Sequence, residues 1–145
     1  MYSVNFQNQS SQQGSVCLYI VDPSCGVPQV FSLAWMTQTA YPGSRSTLNW
    51  ALSYDFVWSS TGSLMPGTIC IPAEIRPADI NNSNQISFTK EGNSYQFMNQ
   101  CGGRAGNLSI IQGSNIGFNA ASVGIGVGGK AALMVQAQPN IALNF

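Results

Sequence analysis

Large apolar side chains recur at every second position from Leu48 through Trp50, Leu52, Tyr54 and Phe56 to Trp58, with Thr47, Asn49, Ala51, Ser53 and Asp55 in most of the gaps. A period of two sends alternate side chains to opposite faces of an extended chain. The spacing therefore predicts one long strand with a single buried face, carrying Trp50, Leu52, Tyr54, Phe56 and Trp58. Val4 and Phe6 alternate in the same way and predict a first strand. Ser15 to Val21 is apolar on both faces, the pattern of a central strand. Ile86 and Phe88 precede Glu91-Gly92, and Tyr95 and Phe97 follow it. This arrangement predicts a hairpin that sets Lys90 opposite Asn93, Phe88 opposite Tyr95 and Ile86 opposite Phe97. Further short strands are expected near 68–72, 107–112, 121–127, 131–138 and 141–145.

One stretch departs from this period. Val30, Leu33, Ala34 and Thr37 sit at helical spacing with Pro28 near a helix start, which predicts a short helix or helical turn between Val27 and Tyr41, closed before Pro42-Gly43. Elsewhere Gly, Pro, Asn and Ser punctuate about eight short strands, with no linker-like break and no internal repeat. The expected fold is all-β, an antiparallel β-sandwich or jelly roll with one short helix, in a single domain over residues 1–145. A chain of 145 residues can bury a core of that kind without disulfide or metal staples.

Charge changes the picture most. Only 7% of the residues are charged, five of each sign, and the net charge is zero. Ordinary domains carry about 25%. This leaves no basic face for nucleic acid. It also leaves little repulsion between copies, which favours association. No apolar run approaches the roughly 18 residues of a membrane span. The first residues, from Met1 to Phe6, hold neither a basic region nor an apolar stretch. The expectation is therefore synthesis in the cytoplasm, with later release to the exterior left open and the native compartment unknown.

Candidate chemistry is sparse. The chain has no histidine, so Ser-His-Asp and Cys-His arrangements cannot form. Asp22, Asp55, Glu74, Asp79 and Glu91 lie in unrelated contexts, and no spacing selects an acid–base pair. Asp55 reads as a surface or Arg-paired carboxylate. Asp79 to Asn84 faintly resembles a calcium loop, but it lacks the glycine and the distal Glu and reads as a turn. Cys17, Cys25, Cys70 and Cys101 form no C-x-x-C pair. Buried free thiols are the expectation, with two disulfides as the alternative in an exported protein. No catalytic residue, cofactor or metal is expected, and the chain is read as a non-enzyme.

Gly124 to Lys130 reads G-I-G-V-G-G-K, which matches the G-x-x-x-x-G-K of a phosphate-binding loop. Ala131 stands where that loop needs Ser or Thr for magnesium, and Pro139 interrupts the short stretch that follows. The better reading is a strand with Val123, Ile125 and Val127 on one face. Gly124, Gly126 and Gly128 then form a bare stripe on the other, approached by an aromatic ring of this chain or by a partner chain or ligand. Ile141, Leu143 and Phe145 alternate in a last strand that could pair along an exposed edge. Those six residues are the candidate assembly site. Trp50 and Trp58 read as core, whereas Trp35 and Tyr41 are candidates for an exposed platform that stacks on a carbohydrate.

Several stretches also carry a resemblance: Ser32-Leu33-Ala34-Trp35, Trp50, Tyr54-Asp55-Phe56-Val57-Trp58, Thr61-Gly62, Leu64 and Pro66-Gly67. Ala78-Asp79, Val123-Gly124-Ile125-Gly126 and Val135 to Asn140 continue it. Over about Tyr2 to Asn140 the chain resembles the rhizosphere-expressed protein family, the RhiA-like small β proteins. Cys25-Gly26 and Gly128-Gly129-Lys130 are less typical of it. The resemblance implies a small, abundant bacterial product, under quorum-type control in rhizobia. It carries over no catalytic residue. The function expected is that of a self-associating structural or surface protein, a homo-oligomer or polymer. The alternative is a lectin-like, glycan-binding module.

Overall fold

Phe56 and Val57 are neighbours on one strand, point to opposite faces, and are both fully buried. A strand sealed on both faces must lie inside a layered structure. The computed structural model describes residues 1–23 and 26–145 and shows how the layers form. Its thirteen strands are β1 (Tyr2–Gln7), β2 (Gly14–Leu18), β3 (Phe31–Ser32), β4 (Met36–Ala40), β5 (Arg45–Trp50), β6 (Tyr54–Ser59), β7 (Glu74–Ala78), β8 (Gln85–Glu91), β9 (Ser94–Cys101), β10 (Ser109–Gln112), β11 (Ser122–Val127), β12 (Lys130–Gln136) and β13 (Ala142–Asn144).

A five-stranded sheet runs β3-β12-β11-β6-β7 and a four-stranded sheet runs β13-β10-β8-β9. The core between them joins Phe56, Val123, Ile125, Leu133 and Val135 of the first sheet to Ile86, Phe88, Phe97, Ile110 and Leu143 of the second. Aromatic rings knit this core. Phe88 stacks on Tyr95 at 5.6 Å between centroids, and Trp58 sits 5.7 Å from Phe88. The fold is thus an all-β sandwich of mostly antiparallel sheets. Among the described residues the one parallel pairing joins β8 and β10. Its crossover is held by Asn84, whose fully buried amide donates to the carbonyls of Arg104 and Asn107 and accepts from Gly103 N–H.

The outer face of the five-stranded sheet is tied to the chain between 60 and 73. Ser59 Oγ donates to Ile71 O at 2.7 Å, and Ala73 N–H donates to Trp58 O at 2.8 Å. Cys70 Sγ lies 4.0 Å from Ser122 Oγ. The remaining four strands form two separate two-stranded ribbons, β1–β5 and β2–β4.

Several expectations need correction. No helix occurs among the described residues. Gln29 takes a φ of +59°, which no right-handed helix accommodates. Leu33 N–H donates instead to Ala132 O, and Met36–Ala40, with its β-branched Thr37 and Thr39, pairs with β2. The long aromatic strand is two strands in different sheets, broken at 51–53, and Leu52 is 55% exposed. Trp50, Tyr54 and Trp58 are only partly buried. The stretch from Ser15 to Val21 forms a ribbon strand, with Tyr19 and Val21 exposed beyond its end. No strand forms at 68–72; a strand outside the expected set, β7, lies just beyond it and contains Pro77. β7 is an edge strand, where proline is tolerated. The β8–β9 hairpin turns at Gly92-Asn93, so Phe88 faces Phe97 and Lys90 faces Tyr95. Gly92 at φ +60° fits the first turn position of the II′ type. The two-residue shift keeps all four large side chains on the core face.

Phe56→Ala should lower stability by about 3–5 kcal/mol. Leu52→Ala should change it by no more than about 0.5 kcal/mol. Urea unfolding of both variants decides the matter. Equal losses would mean that Leu52 is buried on one continuous strand.

Candidate functional site

The two ribbons have an unusual burial pattern. Of all their residues only Ala40 is buried. Val4, Phe6, Leu48 and Trp50 of one ribbon, and Val16, Leu18 and Met36 of the other, are partly covered, and polar residues alternate with them. Arg45 is the only charged residue in the four strands. The ribbons are joined at the loops that follow β1 and β4. There Asn8 donates through its side-chain amide to Gln12 O and Ala40 O, and its backbone exchanges bonds with Ser44 and Gly43.

Trp35 fixes the other end. Its indole N–H donates to Val127 O at 2.8 Å, and its ring meets Trp50 edge-on at 5.4 Å. Tyr2 stacks on Trp50 at 6.0 Å. Val127, Ala132, Leu18, Ile20, Met36 and Tyr54 complete this second apolar cluster. Trp35 is only 7% exposed, which corrects its reading as a platform for a carbohydrate ring. Its indole is the hinge pin between ribbons and sandwich. Tyr41 is 59% exposed, in the turn between β4 and β5.

The glycine stripe lies within the chain's own fold. Gly124 and Gly126 are buried in β11. A methyl group on Gly124 would stand 1.9 Å from Leu133 O, so β12 backbone, not an aromatic ring, fills the space. A β-bulge between Ile125 and Gly126 accompanies this approach. Gly128 and Gly129 have φ of +63° and +76° and form the two-residue turn between Val127 and Lys130. Two successive positive φ values are the I′ hairpin signature. The apparent phosphate-loop motif is therefore a β-hairpin. Asp55 holds this turn: its Oδ2 accepts from Gly129 N–H at 2.9 Å, and it is 5% exposed. It is neither a surface nor an Arg-paired carboxylate.

Leu143 is buried and Phe145 packs against the same core, exchanging backbone bonds with Leu108. Ile141 stays 40% exposed. β13 pairs with β10 alone and forms one edge of its sheet. Glu74 accepts from Trp58 Nε1 at 3.0 Å and pairs with Arg76 at 2.5 Å. Asp79 accepts from the backbone N–H groups of Asn81 and Asn82, as a turn residue does. Among the described residues, no group of three or more His, Cys, Asp or Glu could hold a metal, and no helix is long and apolar enough to cross a membrane. Cys17, Cys70 and Cys101 are free thiols, with Cys17 and Cys101 exposed and not buried. Cys25 lies outside the described residues.

A family model described as RhiA matches residues 1–145. Protein RhiA of Rhizobium leguminosarum bv. viciae is 32% identical over 146 residues, which cover 99% of this chain and 63% of that protein. The chain thus spans less than two thirds of the length of the curated relative it matches. No solved structure matches.

Asp55→Ala should cost about 1–3 kcal/mol, because the turn loses the hydrogen bond from Gly129 N–H to a charged acceptor. Gly129→Ala should cost about 1–2 kcal/mol from its left-handed backbone. Asp55 bonds to the turn that Gly129→Ala distorts, so the double variant should lose less than the sum. A denaturant double-mutant cycle measures this. Strict additivity would show that Asp55 does not hold the turn.

Proposed function

The chain belongs to the RhiA family over residues 1–145, and from that premise we propose that it is a non-enzymatic structural protein that works by associating with copies of itself through the two ribbons. The observation that carries this reading is the state of β1, β2, β4 and β5. A two-stranded ribbon is marginal in water by itself. These two present apolar faces that their own chain covers only in part. Natural edge strands are usually guarded by lysine, proline or inward charge. Here Arg45 is the only charge in four strands, and none of them contains proline.

Strand addition by a second copy would satisfy free backbone groups and finish covering Val4, Phe6 and Leu48. Composition favours the same outcome. With zero net charge and a pI near 6.0, copies meet with little long-range repulsion around neutral pH. Gly124, Gly126 and Leu143 are used inside the monomer, so the ribbons offer the larger partly covered surface for assembly. Carbohydrate binding loses most of its support once Trp35 is an internal anchor.

Sedimentation velocity over a hundredfold range of protein concentration should show association of the wild type. Val4→Lys and Phe6→Lys should weaken it about tenfold each, equivalent to about 1.4 kcal/mol. Neither residue belongs to the sandwich core, so urea unfolding of that core should stay unchanged. A wild type that remains monomeric throughout, at low salt and near its pI, ends the proposal.

A further inference from the structure

The segment between Leu64 and Pro72 is apolar, uncharged and outside every strand, yet it leaves Met65, Ile69 and Ile71 largely in water. Ile69 is 80% exposed and Ile75, on the neighbouring edge strand, 37%. Between this segment and the start of β12 lies a groove of about 440 Å³. Its walls are Leu33, Ala34, Ile69, Pro72, Ile75 and Ala131. A second hollow of about 230 Å³ shares Leu33, Ala34 and Thr68 with it and leads on to Phe31, Leu64 and Met65. Together they form a trough whose larger part is mainly apolar and whose smaller part mixes polar and apolar surface. Small-molecule sites are concave, mostly apolar, and carry a few fixed polar groups.

The polar groups lie together. Lys130 is the one charged residue that borders either hollow. It is one of only five cationic side chains in the protein, and it takes no part in the single ion pair found among the described residues. Asp55, beneath the same turn, is directed to Gly129 N–H and does not border the groove. The hydroxyl of Thr68 accepts from Met65 N–H and keeps its proton for another acceptor. An apolar trough with one unpaired cation at its rim complements a molecule with a long hydrocarbon body and one negative end. An alcohol would leave the cation unused, and an amine would be repelled by it.

We infer that this trough is a binding site for a free, unbranched aliphatic carboxylate. The alkyl chain lies along Leu33, Ile69, Pro72 and Ile75, and the carboxylate meets Lys130. The site is separate from the ribbons, so it stands or falls independently of self-association. Its probe is decanoate, titrated below its micelle concentration into the full chain and followed by calorimetry and by ¹H–¹⁵N spectra.

The expected result is saturable binding with shifts confined to residues around Leu33, Ile69, Ile75 and Lys130. Decylammonium and decanol should bind at least about tenfold more weakly. Lys130→Gln should reduce decanoate affinity by a similar factor and leave decanol unaffected. Ala34→Trp should abolish binding by filling the groove. The wild-type spectra decide the matter even if that variant fails to fold. Three results would overturn the inference: no saturable binding of decanoate, equal binding of all three probes, or indifference to Lys130→Gln. So would adsorption of the protein to phosphatidylglycerol vesicles, or dimerisation lost in Ile69→Asp, since either gives the trough a different occupant.

Discussion

Six successive residue pairs, from Ser59 with Ser122 to Tyr54 with Val127, join β6 to β11, and the rest of the molecule is arranged around that ladder. Both strands are sealed on both faces at their centre, so each face needs its own cover. The inner face receives the four-stranded sheet. The outer face is bare at Gly124 and Gly126, which lets β12 backbone close in and leaves Val57 shielded. The end of the ladder is fixed twice. Asp55 holds the Gly128-Gly129 turn, and Val127 supplies the carbonyl that receives the Trp35 indole. Through that indole the ribbons are attached to the sandwich.

The scarcity of charge is matched by the way buried polarity is satisfied. No buried side-chain nitrogen or oxygen among the described residues lacks a hydrogen-bond partner. Amide side chains carry much of this work. Asn84 holds the crossover, Asn8 joins the ribbon loops, and Gln112 bonds to Ile141 and Gln138 at the last strand. An amide offers donors and an acceptor without the desolvation cost of an ion, so a low-charge chain can still fix its loops. The same economy leaves the surface without the charges that normally keep edges apart. The self-association proposed for the ribbons rests on this. The groove beside Lys130 is an apolar hollow bordered by a charge that joins no ion pair among the described residues.

The alternation of apolar residues was sufficient to read an all-β sandwich; it placed Phe56 in the core and gathered Ile86, Phe88 and Phe97 in one hairpin, because period two dictates which side chains share a face. The hairpin near residue 92 and the exclusion of a phosphate loop were legible for similarly local reasons. What the alternation could not reveal is where a strand changes sheets. Trp50 and Tyr54 lie in phase, yet the chain leaves one sheet and enters another between them, because pairing partners are chosen by distant segments. The helix expected around Val30 failed for the same cause: pairing with β12 and β2 outweighed a weak local spacing. Trp35, Asp55 and Asn84 owe their roles to partners 92, 74 and about 20 residues away in sequence, and no local pattern encodes such contacts. The sequence by itself determined the class of fold and the shortage of charge. Only the tertiary structure decided which residues became anchors and which remained on the surface, since burial belongs to the assembled layers and not to any single segment.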